Sequence, residues 1–112
     1  MSDAIGRFTV VVVEFPFVER KGERRRPALV LTDGKRNRET GTAVIAMITR
    51  EAASPWPGDV VITHLAEAGL TKPCKVRMKL HTIQTDSVRP VGMLHDMDRA
   101  AVLKSLRECL AL

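Results

Sequence analysis

Residues 7–17 read RFTVVVVEFPF, a run of β-branched and aromatic side chains that ends near Pro16. Such side chains fit a pleated backbone, so the run predicts a β-strand. Both alternating sets of positions are apolar, which is typical of a strand that is covered on its two faces. We therefore expect a central strand of a mainly β domain.

Short apolar runs separated by turn residues continue along the rest of the chain. Asp33-Gly34 and residues 38–41 have the composition of turns. Residues 65–69 are expected to form a short turn that ends at Gly69. Further strands are expected at residues 27–32, 42–49, 60–63, 75–80, 82–84 and 88–94.

The apolar spacing changes to a helical period at the C-terminal end. Asp96 and Asp98 precede this segment and suit a helix N-terminus. The residues expected on its buried face are Val102, Leu103, Leu106, Cys109 and Leu110. Many short strands with one closing amphipathic helix predict a mainly β fold, a small and partly open barrel.

Length and composition suggest one domain over residues 1–112, with an ordinary hydrophobic fraction of 45%. No apolar run approaches the roughly 20 residues that span a bilayer, so we expect no membrane partner. The opening MSDAIGRF lacks the apolar core of a signal peptide. Cys74 and Cys109 make no disulfide framework, and a cytoplasmic location is expected.

Metal and cofactor sites are not indicated by the sequence. The histidines His64, His81 and His95 and the cysteine pair show no metal-ligand spacing. We therefore expect no metal site and no cofactor.

The positive charge is concentrated in residues 19–38. This segment has eight basic and three acidic residues, which accounts for the whole formal charge of +5. A concentrated cationic segment attracts polyanions such as nucleic acid, although a solvated loop that aids solubility remains an alternative. The basic residues predicted to contact nucleic acid are Arg20, Lys21, Arg24, Arg25, Arg50 and Lys79.

The order of motifs resembles the MazF/PemK family of toxin endoribonucleases. The chain has VVVVEFPF, a polar loop, RRPALVL, a strand that ends in Ile48-Thr49, and then GDVVI. Gly69-Leu70, Lys72-Pro73 and Val76-Arg77 follow in the same order.

This resemblance implies an SH3-like barrel of the CcdB/PemK/MazF type with a C-terminal α-helix. It also implies a homodimer that cleaves single-stranded RNA without a metal and is neutralised by an acidic, partly disordered antitoxin. Arg26 and Thr49 match the catalytic arginine and threonine, and Arg77 matches an arginine that some branches use in catalysis. Apart from the resemblance, Arg26 could be a surface arginine at the start of a strand, and Thr49 an ordinary strand residue.

The chain departs from the family pattern near the expected general base. Lys79 stands where some branches carry an aspartate, and a protonated lysine cannot accept a proton. Arg50 stands where a small polar residue is common, and Gly6-Arg7 replaces an N-terminal Gly-Asp. The sequence therefore identifies no general base.

Trp56 lies between Pro55 and Pro57, and it could stack a base or anchor a protein partner.

Two other functions stay open. One is a relative that binds RNA without cleaving it. The other is a CcdB-like toxin that inhibits gyrase by binding protein.

Overall fold

The computed structural model describes residues 5–14 and 25–112. The strands are β1 (Thr9–Glu14), β2 (Arg25–Val30), β3 (Thr42–Arg50), β4 (Val60–Val61), β5 (Cys74–Gln84) and β6 (Val88–Met93). The helices are α1 (Gly34–Thr40) and α2 (Asp96–Leu110), and a 3₁₀ turn spans Thr85–Ser87. None of the helices in these two ranges is long and apolar enough to cross a membrane.

The strands form one antiparallel sheet in the order β4-β5-β3-β2-β1-β6. Within the described ranges β4 and β6 are its two edges, and the sheet does not close on itself. The pairing has irregularities between Val10 and Val11 and between Ala46 and Met47, where bulges increase local bending. The mainly β, partly open architecture predicted from the sequence is confirmed.

The alternation of side chains in β1 divides the interior into two hydrophobic clusters. Val10 belongs to the larger cluster, which includes Leu94 and Val102, whereas Val11 and Val13 belong to a cluster on the opposite face. All three valines are buried. The expectation that both faces of this strand are covered is therefore confirmed, although the strand begins at Thr9 and the expected residues 15–17 lie outside the described ranges.

Helix α1 occupies the region that was predicted as turns, so that prediction is wrong. Asp33 caps it by accepting hydrogen bonds from the backbone N–H groups of Lys35 and Arg36, and Gly41 ends it in the left-handed conformation. Asn37 is its only buried residue. A short helix without an apolar face gives no hydrophobic periodicity, which explains why the sequence pattern did not predict it.

Helix α2 is present, and Val102, Leu103 and Leu106 of the predicted face pack at the larger cluster, but its cap differs from the one predicted. His95, not an aspartate, is the N-cap residue. The buried residues of the helix are Asp98, Val102 and Ser105, whereas Cys109 and Leu110 are exposed. The expectation that Cys109 and Leu110 lie on the buried face is therefore wrong.

Three strand predictions also need correction. The segments predicted at residues 75–80 and 82–84 are one continuous strand, β5. Strand β4 has only Val60 and Val61, and β6 ends at Met93. The turn predicted to end at Gly69 is confirmed, because Gly69 has a φ of 75° and its Cα lies against the Val91 carbonyl, where a Cβ would clash.

Candidate active site

A cleft of about 520 Å³ lies near the ends of three strands of the sheet. It lies between the start of β2, the end of β3 and the segment that leads into β5. The residues that line it are Arg25, Arg26, Pro27, Ile48, Thr49, Arg50, Leu70, Thr71, Lys72 and Cys74. We call this feature the basic cleft.

Arg26 and Thr49 are brought together by the pairing of β2 with β3. The register pairs Ala28 with Met47, and Arg26 and Thr49 each lie two residues further toward the same end of the two strands. Alternate residues of a strand share a face, so both side chains follow the face of Ala28 and Met47. Each is partly exposed at the cleft. A guanidinium and a hydroxyl from two rigid strands therefore point to one shared region.

The basic cleft has an excess of positive charge. Among its described lining residues Arg25, Arg26, Arg50 and Lys72 are basic and none is acidic. Arg50 and Lys72 also line an adjoining depression of about 450 Å³, together with Glu51. Concave surfaces with one sign of charge concentrate counter-ions, so this region is suited to bind a polyanion.

Lys72 is a lining residue that the sequence analysis did not assign to the site. In the sequence, Lys72 is part of the motif Lys72-Pro73, but the motif does not indicate the path of the loop. The loop returns toward the end of β3, where the Glu51 N–H donates a 3.0 Å hydrogen bond to the Pro73 carbonyl. A single lysine in a loop has no signal in the sequence; only this return of the chain places it beside Arg50.

Arg77 lies outside the basic cleft and is engaged by Asp59. Its Nε and Nη2 atoms donate hydrogen bonds to the two carboxylate oxygens of Asp59 at 3.2 and 3.1 Å, and Nη2 also donates to the Ser54 carbonyl. Lys75 donates to the same carboxylate at 3.1 Å and to the Ala53 carbonyl at 2.7 Å. We call Asp59, Lys75 and Arg77 the Asp59 cluster.

In the Asp59 cluster one carboxylate pairs with two cations, and all three side chains are largely buried. Burial opposes the charged form of Asp59, but hydrogen bonds from Arg77 and Lys75 outweigh this and lower the pKa of its carboxyl group. The carboxylate also accepts a 3.0 Å hydrogen bond from the backbone N–H of Trp56. The cluster thus fastens the loop of residues 53–59 to β5.

Trp56 and Lys79 adjoin the Asp59 cluster and not the basic cleft. The Arg77 guanidinium and the Lys79 ammonium each lie 5.6 Å from the centre of the Trp56 ring. Trp56 is 40% exposed and could accept a stacking partner. Arg20, Lys21 and Arg24 lie outside the described residues.

Cys74 is the one thiol at the basic cleft in the described part of the chain. Burial raises the pKa of this thiol, although the charge of Arg50 acts in the opposite direction. A buried thiol with a raised pKa stays protonated near neutral pH and is a poor nucleophile or base. No carboxylate or imidazole stands among the described lining residues of the cleft.

Ligands for a metal ion are found in another part of the described structure. His64, Glu67 and His95 each offer a ligand atom, and these atoms lie within 4.8 Å of one another. The spacing of these residues along the chain gave no sign of this group, because only the fold brings them close to one another.

A family model of PemK-like, MazF-like toxins of type II toxin–antitoxin systems matches residues 6–110. The chain belongs to this family. Its members are toxin endoribonucleases. No curated protein sequence matches the chain.

Solved structures of MazF proteins share the fold at low sequence identity. A chain of the MazE–MazF complex from Deinococcus radiodurans is 21% identical and has a TM-score of 0.76, with 97% of this chain and 98% of that chain covered. The Mycobacterium tuberculosis toxin MazF-mt6 is 20% identical with a TM-score of 0.73, covering 93% and 97%. An endoribonuclease in complex with its cognate antitoxin from a mycobacterial species is also 20% identical, with a TM-score of 0.73 and coverage of 98% and 96%. At this identity the likeness shows the MazF-like fold.

Proposed function

We propose that this MazF/PemK-family chain is a metal-independent endoribonuclease that cleaves single-stranded RNA in the basic cleft. The observation that carries the proposal is the meeting of Arg26 and Thr49 in a cleft whose other charged lining residues are Arg25, Arg50 and Lys72. An RNA strand supplies the anion that such a surface is suited to bind.

The reaction needs no metal if the ribose 2′-hydroxyl attacks the adjacent phosphate. The products are a 2′,3′-cyclic phosphate and a free 5′-hydroxyl, and the phosphorane between them has extra negative charge. A guanidinium can donate two parallel hydrogen bonds to such a group and keeps its charge, so Arg26 is assigned to bind the scissile phosphate. The Thr49 hydroxyl can donate to an oxygen of the same phosphate.

Arg77 is assigned a supporting role. Its bidentate hydrogen bonds to Asp59 occupy its guanidinium, and its side chain is only 16% exposed. These bonds fix the guanidinium against Asp59, and breaking them would leave a partly buried carboxylate with fewer partners. We propose that Arg77 acts through the loop of residues 53–59, which it holds against β5.

The proposal includes two partners. An acidic, partly disordered antitoxin would complement the excess positive charge of the basic cleft, and such complementarity mainly accelerates association. A second copy of the chain would form a homodimer. Light scattering on a size-exclusion column tests the dimer directly, and a mass equal to one chain would contradict it.

The function is tested with a single-stranded RNA that carries one fluorescent label, incubated with protein in excess EDTA. The expected products are discrete fragments whose 5′ ends accept phosphate from a polynucleotide kinase without prior phosphatase treatment. Replacing the ribose 5′ of a cut site by 2′-deoxyribose should abolish that cut. Intact RNA at high protein concentration would contradict the proposal.

A second candidate function is RNA binding without cleavage. The observation that favours it is the lack of a carboxylate or imidazole among the described lining residues of the cleft, because the 2′-hydroxyl then has no evident base. In the same assay, this alternative predicts a shifted RNA band with no fragments. Neither fragments nor a shift would favour a toxin that binds protein.

A further inference from the structure

We propose that His64, Glu67 and His95 form a binding site for one divalent first-row transition-metal ion, such as Zn²⁺. His64 lies in the segment after β4, Glu67 in the turn of residues 65–69, and His95 at the N-cap of α2. Their ligand atoms lie within 4.8 Å of one another. Two imidazoles and one carboxylate are a donor set that Zn²⁺ accepts, with a water as the fourth ligand.

His64 is oriented for coordination by its hydrogen-bonded neighbours. The Thr63 hydroxyl donates a 2.7 Å hydrogen bond to Asp98, so its oxygen can only accept from the His64 Nδ1 atom, 2.8 Å away. The proton of neutral His64 is therefore on Nδ1, and the lone pair of Nε2 is available to a metal. An outer carboxylate that fixes the tautomer in this way is a common feature of histidine metal sites.

Asp98 is well suited to this supporting role because it is buried and fixed by several hydrogen bonds. Its carboxylate accepts from the Thr63 hydroxyl at 2.7 Å and from the backbone N–H groups of Thr63 and His64 at 3.0 to 3.1 Å. Its side chain is 4% exposed. These contacts hold the Thr63 hydroxyl and the backbone of His64 in place.

His95 offers its lone pair in competition with the cap of α2. Its ring lies parallel to that of His64, with the centroids 3.7 Å apart and the planes 6° from parallel. Its Nδ1 atom accepts a 3.1 Å hydrogen bond from the Met97 N–H. A shared ion lies near the plane of each imidazole, so binding turns the rings out of this stack and draws His95 away from Met97.

Glu67 supplies a negative charge, and its exposed side chain can rotate to complete the site. It is exposed, and it lines a cavity of about 520 Å³ together with His95 and Asp96. Ligand atoms around a tetrahedral Zn²⁺ lie roughly 3.3 Å apart, so the present separation must shorten by rotation of side chains. Arg99, the nearby cation, donates to the Leu94 carbonyl at 2.6 Å and lies 3.6 Å from Asp96.

The proposed site goes beyond the RNA-cleaving function and does not depend on it. Its three ligands include no residue that lines the basic cleft. A bound ion would join the start of α2 to the turn of residues 65–69. It would therefore stabilise the fold, and cleavage of RNA in EDTA would remain possible.

The test is calorimetric titration of untagged full-length protein with ZnCl₂, together with thermal unfolding. The matched variants are His64→Gln, Glu67→Gln and His95→Asn, since asparagine preserves a helix cap. His81→Gln is the control for a histidine elsewhere, and Cys109→Ser is the control for the exposed thiol. Circular dichroism of the metal-free variants checks that each is folded.

The expected result is one Zn²⁺ per chain in the wild-type, His81→Gln and Cys109→Ser proteins. At a free ion concentration about 100-fold above Kd, the Tm should rise on the order of 10 °C. Each of the three ligand variants should weaken binding by at least about tenfold, and NMR should show the imidazole signals of His64 and His95 shifting together. No binding by the wild type would overturn the proposal, as would equal binding by the three variants or loss of binding only in Cys109→Ser.

Discussion

The basic cleft and the Asp59 cluster are built from the same kinds of residue on neighbouring parts of one sheet, yet their charges are balanced differently. In the Asp59 cluster one carboxylate accepts hydrogen bonds from both Lys75 and Arg77. At the basic cleft the described lining residues include Arg26, Arg50 and Lys72 but no acid. The cluster thus pairs its two cations with a buried carboxylate, whereas the described lining of the cleft has four basic residues and no carboxylate.

This difference in pairing separates cations that stabilise the fold from cations that can bind a ligand. A partly buried pair is costly to break because the remaining charge loses its partner in a poorly solvated place. A cation at an exposed cleft has less effect on stability, since water solvates it with or without an anion. The residue type alone does not distinguish Arg26 from Arg77, but their surroundings do.

The largest expected effect is that of Arg26→Ala on RNA cleavage. Loss of one preorganised donor to a developing charge costs about 10²–10³-fold in rate, so the variant should be nearly inactive. Single-turnover cleavage in EDTA measures the rate, and circular dichroism checks that the variant is folded. Arg89→Ala, which removes an exposed arginine of β6, is the matched control and should cleave normally. Normal cleavage by Arg26→Ala would remove Arg26 from the proposed site.

Asp59→Ala should show the opposite pattern and mainly affect stability. It leaves Lys75 and Arg77 without their shared partner, and such losses cost about 3–5 kcal/mol when the charges are buried. The side chains of Asp59 and Lys75 are 13% and 8% exposed, so an effect near 3 kcal/mol is expected. Urea unfolding monitored by Trp56 fluorescence measures it. A change below about 0.5 kcal/mol would show that the cluster does not hold the loop.

Lys72→Ala should weaken RNA binding without preventing folding. One lost phosphate contact lowers the slope of log K against log salt by about 0.7 for a single strand. Fluorescence anisotropy at several salt concentrations, with the inactive Arg26→Ala protein as background, measures this slope. Lys104→Ala, an exposed lysine of α2, is the control. Equal slopes for the two lysine variants would exclude Lys72 from the RNA-binding surface.

The smallest effect concerns pH, and it should separate the two regions again. The pKa of Asp59 is lowered in the fold, so its stabilisation is present above the ordinary carboxyl pKa of about 4 and is lost as pH falls through the lowered value. Asp59→Asn should therefore lose less stability than the wild type between pH 5 and pH 3. Lys72→Ala should follow the wild-type curve, because a lysine side chain does not titrate in that range. Urea unfolding at each pH provides the comparison.

Several features of the fold could be predicted because they depend on local pattern. The β-branched run in β1 predicts a strand covered on both faces, and Val10 and Val11 indeed face different clusters. Helix α1 could not be predicted in this way, because its only buried residue is the polar Asn37. Asn37 is buried because its side chain donates to the carbonyls of Ile5 and Thr32, partners that only the folded chain brings close.

The candidate site was predictable to the extent that motif order indicates the family. That order led to Arg26 and Thr49, which the sheet places at one cleft. It did not indicate Lys72, and it grouped Arg77 with them although Arg77 is held by Asp59. Charge along a chain gives the number of cations in a segment, but partners across the fold determine which of them remain available to a ligand.

The sequence by itself determined that this chain is mainly β, that it ends in a helix, and that it belongs with the PemK-like, MazF-like toxins. These properties follow from the periodicity of apolar residues and from motif order, both of which are written along the chain. Only the tertiary structure decided which cations are neutralised and that His64, Glu67 and His95 meet. Contacts between residues distant in sequence depend on strand register and loop paths, and electrostatic energies depend on the distances and burial that these create.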